Sequence, residues 1–251
     1  DIWLNEGFAT YFTGMAYEVK WPKDWMPWKA YTISDVTSEP GGSVFVDDTN
    51  SVSRIFDGRL SYNKGALLLH MLRWKLGDKN FFQGIRNYLK NPKHSFSYAS
   101  TEDFKAHLEQ ISQMDLDEFF ADWFYGEGFP SYQLNAIVKG GVVELEINQS
   151  SSDQSVDFYE MPIPIRFVGE NIDTICFGYE PIFIKHQAGM CASIIGFNFG
   201  QNIIDQIIVM DLAVDAHRAV PTNRAGGQFN GWWVHRRLVF SKHNQCAACL
   251  V

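Results

Sequence analysis

The first 130 residues carry the hydrophobic spacing of helices. Near the start of the chain, apolar side chains recur at steps of three and four residues, as they do along one face of a helix; they are Trp3, Leu4, Phe8, Tyr11, Phe12 and Met15. This spacing predicts a helix over about 2–17. A segment rich in proline and tryptophan over 20–28 is predicted to end it, and a loop is predicted over 38–50.

Four more helices are predicted before residue 130. The second ends at Gly77, since glycine commonly closes a helix, and the third begins at Asp78 and stops before Pro92. Ser100 and Asp103 form a capping pair at the start of the fourth helix. The predicted bounds are 62–76, 78–90, 100–111 and 116–125.

After Pro130 the period changes to the alternation that is typical of strands. Two alternating runs on either side of Gly140-Gly141 predict a hairpin. Later runs bring the total to six or seven short strands, the number and spacing of a β-sandwich; they cover 161–168, 172–178, 192–198 and 203–210. The sequence therefore predicts an α+β chain: a helical domain over 1–130, an antiparallel β-sandwich over 131–215 and an irregular basic tail over 216–251.

Charge separates the tail from the rest of the chain. The net charge is −8, but residues 1–215 hold all 29 acidic side chains and 16 of the 21 Lys and Arg, so they carry −13 and residues 216–251 carry +5. Because an acidic chain lacks the basic face that phosphate groups require, we expect no nucleic-acid partner. No run reaches the roughly 18 apolar residues of a membrane-spanning helix, so no span is predicted.

The four cysteines fall into two groups. Cys176 and Cys191 lie in strand-like sequence, where a disulfide and two buried thiols are both compatible with the pattern. Cys246 and Cys249 form a C-x-x-C in the tail, but a structural zinc site there would need a second pair of ligands. We therefore predict no metal ligand among the cysteines.

The common catalytic motifs are absent from the sequence. It contains no G-x-S-x-G, no P-loop and no EF-hand loop. Each of the seven histidines is followed by a residue other than Glu, and no two lie four positions apart, so there is no H-E-x-x-H. A complete zinc-peptidase site cannot be assembled from this sequence alone.

Three motifs nevertheless resemble, in the same order, those of the M1 family of zinc metallo-aminopeptidases, the gluzincins related to aminopeptidase N. The run D-I-W-L-N-E-G-F-A at 1–9 is similar to the helix that carries the third zinc ligand, which places that ligand at Glu6. The run S-Y-N-K-G-A at 61–66 resembles the element of the catalytic tyrosine, here Tyr62. The segment 119–130 resembles the W-x-x-x-x-G-x-P close of the catalytic domain.

The resemblance implies a fold, a metal and a reaction. Residues 1–130 are expected to be the helical C-terminal half of a thermolysin-like catalytic domain, followed by a β-sandwich. One catalytic Zn²⁺ is implied, with Glu6 as a carboxylate ligand. Tyr62 is the expected donor to the oxyanion that forms when the peptide carbonyl is attacked. The implied substrates are peptides with a free N-terminus, from which single amino acids are removed.

Other parts of such a site are not in this sequence. Both His ligands, the Glu general base and a G-x-M-E-N element belong to a preceding half of the family's catalytic domain. We therefore expect the 251-residue chain to be inactive alone, to have that half as its partner, and to expose an apolar surface near Trp3 and Phe8 where it would pack. A secreted or periplasmic location is expected from similar bacterial peptidases.

The sequence is compatible with several alternatives. The chain is otherwise interpreted as a non-catalytic interaction module, or as a degenerate homologue that binds no zinc. Asn5 either orients the metal-binding helix or lies on its surface. Lys64 and the Trp21, Trp25 and Trp28 group are interpreted as structural.

Overall fold

The computed structural model describes residues 1–139, 142–169, 172–178, 183–185, 191–194, 210–211 and 233–234. They divide into two compact units. The helical unit contains Asp1–Phe129 together with Ser152–Met161, and the strand unit contains Pro130–Ser151 and the described residues from Pro162 onward. In the described part of the chain, no helix is both long enough and apolar enough to cross a membrane.

The helical unit consists of α-helices and two π-helical turns, which we call π1 and π2. In chain order they are α1 (Trp3–Lys20), α2 (Pro22–Val36), α3 (Val52–Ile55), π1 (Gly58–Lys64), α4 (Gly65–Lys90), α5 (Thr101–Ser112), α6 (Asp117–Phe120) and π2 (Ala121–Tyr125). The predicted helical character of this part of the chain is confirmed.

Helix α2 is the main departure from the predicted helices. Pro22 stands in its first turn, where the missing N–H would have no intrahelical acceptor. Pro27 lies inside the helix and removes one hydrogen bond without ending it. The prediction that the first helix ends in the segment 20–28 is confirmed, since α1 ends at Lys20 and Trp21 is non-helical. A new helix beginning at Pro22 was not predicted, and it forms because only one of the two prolines lies where it weakens a helix.

The predicted break at Gly77 is confirmed. This glycine interrupts α4 with φ 72° and ψ 156°, a conformation that glycine adopts without steric cost. Asp78 binds Arg73, accepting from Nε at 2.7 Å and from Nη2 at 3.1 Å. Ser100 and Asp103 form the predicted capping box at the start of α5.

The core of the helical unit is aromatic. Trp3 and Phe8 on α1 are only 1% and 6% exposed, and the ring of Phe104 lies 6.0 Å and 5.2 Å from theirs. The Trp3 indole N–H also donates to Thr101 Oγ1 at 2.8 Å. Side chains of this same unit therefore cover both rings. Phe12, whose ring lies 5.5 Å from that of Phe8, is 39% exposed, and the expected apolar surface for a missing half stays a prediction.

A buried histidine links α1 to α4. His70 is 5% exposed, and its Nδ1 lies 3.3 Å from the Tyr11 hydroxyl. The Trp74 indole N–H donates to its Nε2 at 3.3 Å. Trp25 packs edge-on against the imidazole and stacks on Trp28 at 5.2 Å, which confirms the structural interpretation of these two tryptophans. Trp21, the third of the group, is 49% exposed and contacts the ring of Tyr17. Burial lowers the pKa of His70 to about 3.

The described strands form two antiparallel sheets. The strands are β1 (Pro130–Lys139), β2 (Val142–Ser151), β3 (Ile163–Gly169), β4 (Ile172–Gly178), β5 (Phe183–Lys185), β6 (Cys191–Ile194), β7 (Met210–Asp211) and β8 (Trp233–Val234). One sheet has the order β1-β2-β5, with β8 also paired to β2, and the other has the order β4-β3-β6-β7. The β-sandwich stays a prediction, since 195–209 and most of the basic tail lie outside the described residues.

The strand register decides whether Cys176 and Cys191 pair. Their strands β4 and β6 lie on opposite sides of β3, where Cys176 is opposite Ile165 and Cys191 is opposite Val168. Two strand spacings separate the cysteine Cα atoms by roughly 9 Å before the offset along the strands is added. A disulfide needs a Cα separation below about 7 Å, and the backbone register places the two Cα atoms farther apart than that.

The helical unit is completed by a segment that follows the β1–β2 hairpin. Tyr159 is 1% exposed, its ring lies 4.6 Å from that of Trp123, and its hydroxyl donates to the Glu127 carbonyl at 2.6 Å. Ser152 Oγ donates to the Pro40 carbonyl at 2.7 Å. Ser152–Met161 thus contributes both an aromatic ring and hydrogen bonds to the helical unit.

Candidate active site

Tyr62 lies on π1, a short turn between α3 and α4. Asp57 caps this turn, since its carboxylate accepts from the Leu60 N–H at 2.8 Å. A π-helical turn places side chains differently from an α-helix and is found frequently at functional sites. The local sequence therefore presents Tyr62 from an unusual backbone conformation.

Neighbours of Tyr62 on π1 bind other segments of the helical unit. Arg59 Nη1 donates to the carbonyl oxygens of Val36 and Gly41 at 3.3 Å and 3.0 Å. Asn63 Nδ2 donates to Asp35 Oδ2 at 2.8 Å. These bonds fix the turn on both sides of Tyr62, whose own side chain is half-buried.

A close contact between two glycines brings Glu6 to the same place. A Cβ atom built on Gly7 would lie 3.0 Å from the backbone carbon of Gly65, so α1 and the start of α4 touch backbone to backbone. A side chain at either position would push the two helices apart. Glu6 precedes one glycine of this contact, and π1 directly precedes the other.

The structure brings the two predicted site residues together. Burial, then a hydrogen bond to the Glu6 side chain and the negative charge of Glu6, raises the pKa of Tyr62. A tyrosine phenol is protonated near neutral pH in any case, and this shift extends that range upward, so Tyr62 can donate a hydrogen bond. Glu6 itself is half-buried, and Asn5 before it is exposed. Exposure of Asn5 agrees with the helix-surface interpretation.

Glu6 can supply one metal ligand and no more. A half-buried carboxylate beside a protonated phenol suits a zinc site, in which two or three further protein ligands complete the shell. Among the described residues, Glu6 belongs to no group of three side chains that could hold an ion together. The roles of Glu6 as a ligand and of Tyr62 as a donor stay predictions.

The one such group in the described part of the chain is acidic and lies elsewhere. It consists of Glu109, Asp115 and Asp117. Glu109 accepts from the Leu116 N–H at 2.9 Å, Asp115 accepts from the Asp117 N–H at 2.8 Å, and Asp117 pairs with Lys105. These carboxylates cap α6 and bind a lysine, so their proximity has a structural explanation.

The chain is similar in sequence to one known protein family and to several known proteins. The sequence model of the peptidase family M1 domain matches residues 1–123. The chain is 30% identical over 181 residues to the leucyl aminopeptidase of Saccharolobus solfataricus, covering 68% of this chain and 22% of that protein. It is 33% identical over 190 residues to the glutamyl aminopeptidase of Bitis rhinoceros, covering 70% and 19%.

A plant relative has a similar degree of sequence identity to this chain. The aminopeptidase M1-D of Oryza sativa subsp. japonica is 32% identical over 172 residues, covering 65% of this chain and 19% of that protein. The chain thus spans about a fifth of the length of the curated relatives that it matches.

Proposed function

Residues 1–123 belong to peptidase family M1, and from this premise we propose that the chain is part of a zinc aminopeptidase that removes N-terminal amino acids from peptides. The observation that carries the proposal is the close approach of two separate motifs: Gly7, next to Glu6, touches Gly65 at the end of π1. After burial, Glu6 is the group that raises the pKa of Tyr62. The names of the relatives support the same class of reaction.

In this proposal Glu6 is the carboxylate ligand of one Zn²⁺. The remaining ligands and the general base come from sequence outside this chain, so we propose that the 251 residues alone are inactive. A bound Zn²⁺ supplies Lewis-acid polarisation of a carbonyl and a water of lowered pKa. Within this chain, Glu6 would provide one ligand to the metal, and α1 determines where that ligand lies.

Tyr62 has a different role in the proposal. Like any tyrosine phenol it is protonated at neutral pH, and its raised pKa keeps it so at higher pH. It can therefore donate to the carbonyl oxygen of the substrate as negative charge develops there. Its backbone is fixed by the hydrogen bonds of its neighbours, so little reorganisation is needed when that charge appears. This is electrostatic stabilisation rather than proton transfer.

The proposal also assigns the two structural units to domains of the family. We propose that the helical unit is the C-terminal half of a thermolysin-like catalytic domain. The two antiparallel sheets would then belong to the β-sandwich that follows that domain in the family.

The test uses the full-length protein that contains this chain. Tyr62→Phe is expected to lower kcat by about 10²–10³-fold with little change in zinc content or KM, because one oxyanion donor is lost. Glu6→Ala is expected to lose both zinc and activity. Metal analysis and hydrolysis of aminoacyl-coumarin amides measure these quantities.

Tyr98→Phe is the matched control, since Tyr98 is 96% exposed on the same unit. It should leave kcat and zinc content unchanged. A Tyr62→Phe enzyme with the kcat of the parent would remove Tyr62 from the mechanism, and a Glu6→Ala protein that retains its zinc would remove Glu6.

A further inference from the structure

The second half of α4 and the loop after it form a basic segment in an otherwise acidic part of the chain. Residues 79–101 contain four Lys and Arg side chains and no Asp or Glu, although residues 1–215 as a whole carry −13. All four basic side chains are exposed; they are Lys79, Arg86, Lys90 and Lys93. The segment therefore presents positive charge to solvent without acidic residues between its cations.

Three of these cations lie on one face of α4. Lys79, Arg86 and Lys90 are seven and four positions apart, which is two turns and one turn of a helix, and they span about 16 Å along its axis. In the part of the chain that the structure describes, none of the three has an ion-pair partner. Lys93, just beyond the helix, pairs with Asp103 at 2.8 Å. The charge of this face is thus largely uncompensated.

The loop that follows α4 presents two aromatic rings to solvent. Phe96 and Tyr98 have relative exposures of 111% and 96%. Phe96 also has φ 58°, a left-handed conformation that is unfavourable for a bulky residue. The loop is nevertheless tied to the end of α4, since the Ser95 N–H donates to the Asn91 carbonyl at 2.9 Å and Ser95 Oγ donates to the Leu89 carbonyl at 2.6 Å. Both rings are therefore presented from a hydrogen-bonded turn at the end of the basic face.

Basic side chains beside exposed aromatic rings suit the surface of a membrane that contains anionic lipids. Lys and Arg attract anionic headgroups, and aromatic rings are favourable at the level of those headgroups. Two rings that project freely into solvent can insert between lipids, whereas a folded protein partner would have to supply a pocket for each. Since salt screens charges beyond about 8–10 Å, acidic side chains elsewhere on the chain do not cancel this local attraction.

We propose that this surface, which we call the α4 patch, is a docking site for an anionic lipid surface. The cations bind the headgroups, and the two rings insert at headgroup depth. The α4 patch consists of Lys79, Arg86, Lys90, Lys93, Phe96 and Tyr98. The proposal concerns where the protein acts, and it is independent of the metal, of Glu6 and of Tyr62.

The test is sedimentation of the full-length protein with lipid vesicles. Vesicles of phosphatidylcholine and phosphatidylglycerol in a ratio of about 3:1 should bind the protein, and vesicles of phosphatidylcholine alone should not. Binding should weaken when NaCl is raised from about 0.05 M to about 0.5 M, because the attraction is electrostatic.

Two double variants separate the α4 patch from the overall charge. Arg86→Glu with Lys90→Glu should lower the vesicle partition coefficient at least about 25-fold, because each basic side chain near an anionic surface contributes a factor of about five. Lys20→Glu with Lys23→Glu makes the same change in net charge at exposed positions outside the patch. This control should leave the coefficient within about threefold of the parent value.

The contribution of the rings is tested separately. Phe96→Asn with Tyr98→Ser should lower the partition coefficient about tenfold or more, since inserted aromatic surface is lost. Asparagine tolerates the left-handed conformation at position 96, so the loop can keep its shape. Tyr31→Ser, which removes a ring that is 66% exposed on α2, should bind vesicles like the parent.

A full-length protein that does not bind the phosphatidylglycerol vesicles would overturn the proposal, as would equal binding by the parent and by Arg86→Glu with Lys90→Glu. Retention on immobilised polyglutamate without vesicle binding would also overturn it and assign the α4 patch to an acidic polypeptide. Hydrolysis of a soluble aminoacyl-coumarin amide should be the same for the parent and all of these variants. Vesicle binding and the proposed peptidase function are thus tested separately, and either can fail without the other.

Discussion

At the scale of single residues, His70 has its protonation state fixed by its neighbours. An indole N–H can only donate, so Nε2 of His70 must accept from Trp74. The neutral ring then carries its proton on Nδ1, which donates to the Tyr11 oxygen. Burial, followed by the positive charges of Lys29 and Arg73, lowers the pKa of His70 to about 3. Protonation would also cost the bond that Nε2 accepts from Trp74.

We therefore predict that His70 makes the protein less stable in acid. Its pKa is lower in the folded state than the unfolded value of about 6.5, so below pH 6.5 the unfolded state binds more protons and the free energy of unfolding falls. The expected slope from this one group is about 1.4 kcal/mol per pH unit. Urea unfolding of the parent and of His70→Gln between pH 6.5 and 4 measures it.

The test depends on the difference between the free energies of unfolding of the parent and of His70→Gln at each pH. Other groups titrate in the same range, and Asp122, whose pKa burial raises to about 6, changes stability in the opposite direction. These contributions are common to both proteins and cancel in the difference. Parallel pH profiles for the parent and the variant would show that His70 is not the responsible group.

The sequence predicts the surroundings of some residues better than those of others. Glu6 and Tyr62 stand in motifs of several adjacent residues, so their proximity could be predicted from resemblance. The burial of Lys64 depends on carbonyl groups of Gly42 and Gly126, which lie far from it in the sequence. No local pattern contains that information.

At the scale of elements, the crossing of α1 and α4 depends on the Gly7–Gly65 contact. We predict that Gly7→Ala destabilises the chain, because the new methyl group would meet the backbone of Gly65, which cannot rotate away. Alanine gains about 1 kcal/mol in helix propensity, but overpacking of this kind costs about 1–3 kcal/mol. Denaturant unfolding measures the net loss.

Gly58→Ala is the control for this prediction. Gly58 begins π1, and a Cβ atom there would meet no other atom within 4 Å. Its replacement should leave stability within about 0.5 kcal/mol of the parent or raise it slightly. Equal stabilities for Gly7→Ala and Gly58→Ala would mean that the contact does not limit the helix crossing.

Helix starts and breaks could be predicted from the sequence where neighbouring residues alone determine them. The capping box at Ser100 and the left-handed glycine at Gly77 are set by neighbouring residues, and both predictions are confirmed. Helix α2 forms although Pro27 opposes it, and π1 forms although the apolar spacing around Tyr62 predicts an ordinary helix. Both exceptions lie in segments that contact the site or its supports, where tertiary contacts outweigh local preference.

At the scale of the whole molecule, the helical unit depends on residues that follow the hairpin. We predict that Tyr159→Ala lowers the stability of the helical unit by about 3–5 kcal/mol, the usual cost of removing a buried aromatic side chain. The lost contacts are the packing on Trp123 and the hydrogen bond to Glu127. Thermal unfolding followed by helical circular dichroism measures the effect.

Asp157→Ala, at an exposed position of the same segment, should unfold at the temperature of the parent. A Tyr159→Ala protein with an unchanged melting temperature would show that the segment merely lies on the helical unit. The β-sandwich predicted over 131–215 includes 152–161, whereas the structure places this segment in the helical unit. Its partners in the structure are Trp123 on π2 and backbone groups of Pro40 and Glu127, which spacing along the chain does not reveal.

The late position of Tyr159 also has a consequence for synthesis on the ribosome. A chain that emerges from its N-terminus can pack α1 to π2 early, but the ring that covers Trp123 appears only after the whole β1–β2 hairpin has been translated. At roughly 5–20 residues per second, this delay is on the order of seconds, far longer than a helix needs to form. During that interval the nascent helical unit exposes an apolar face, which is when chaperone binding would matter most.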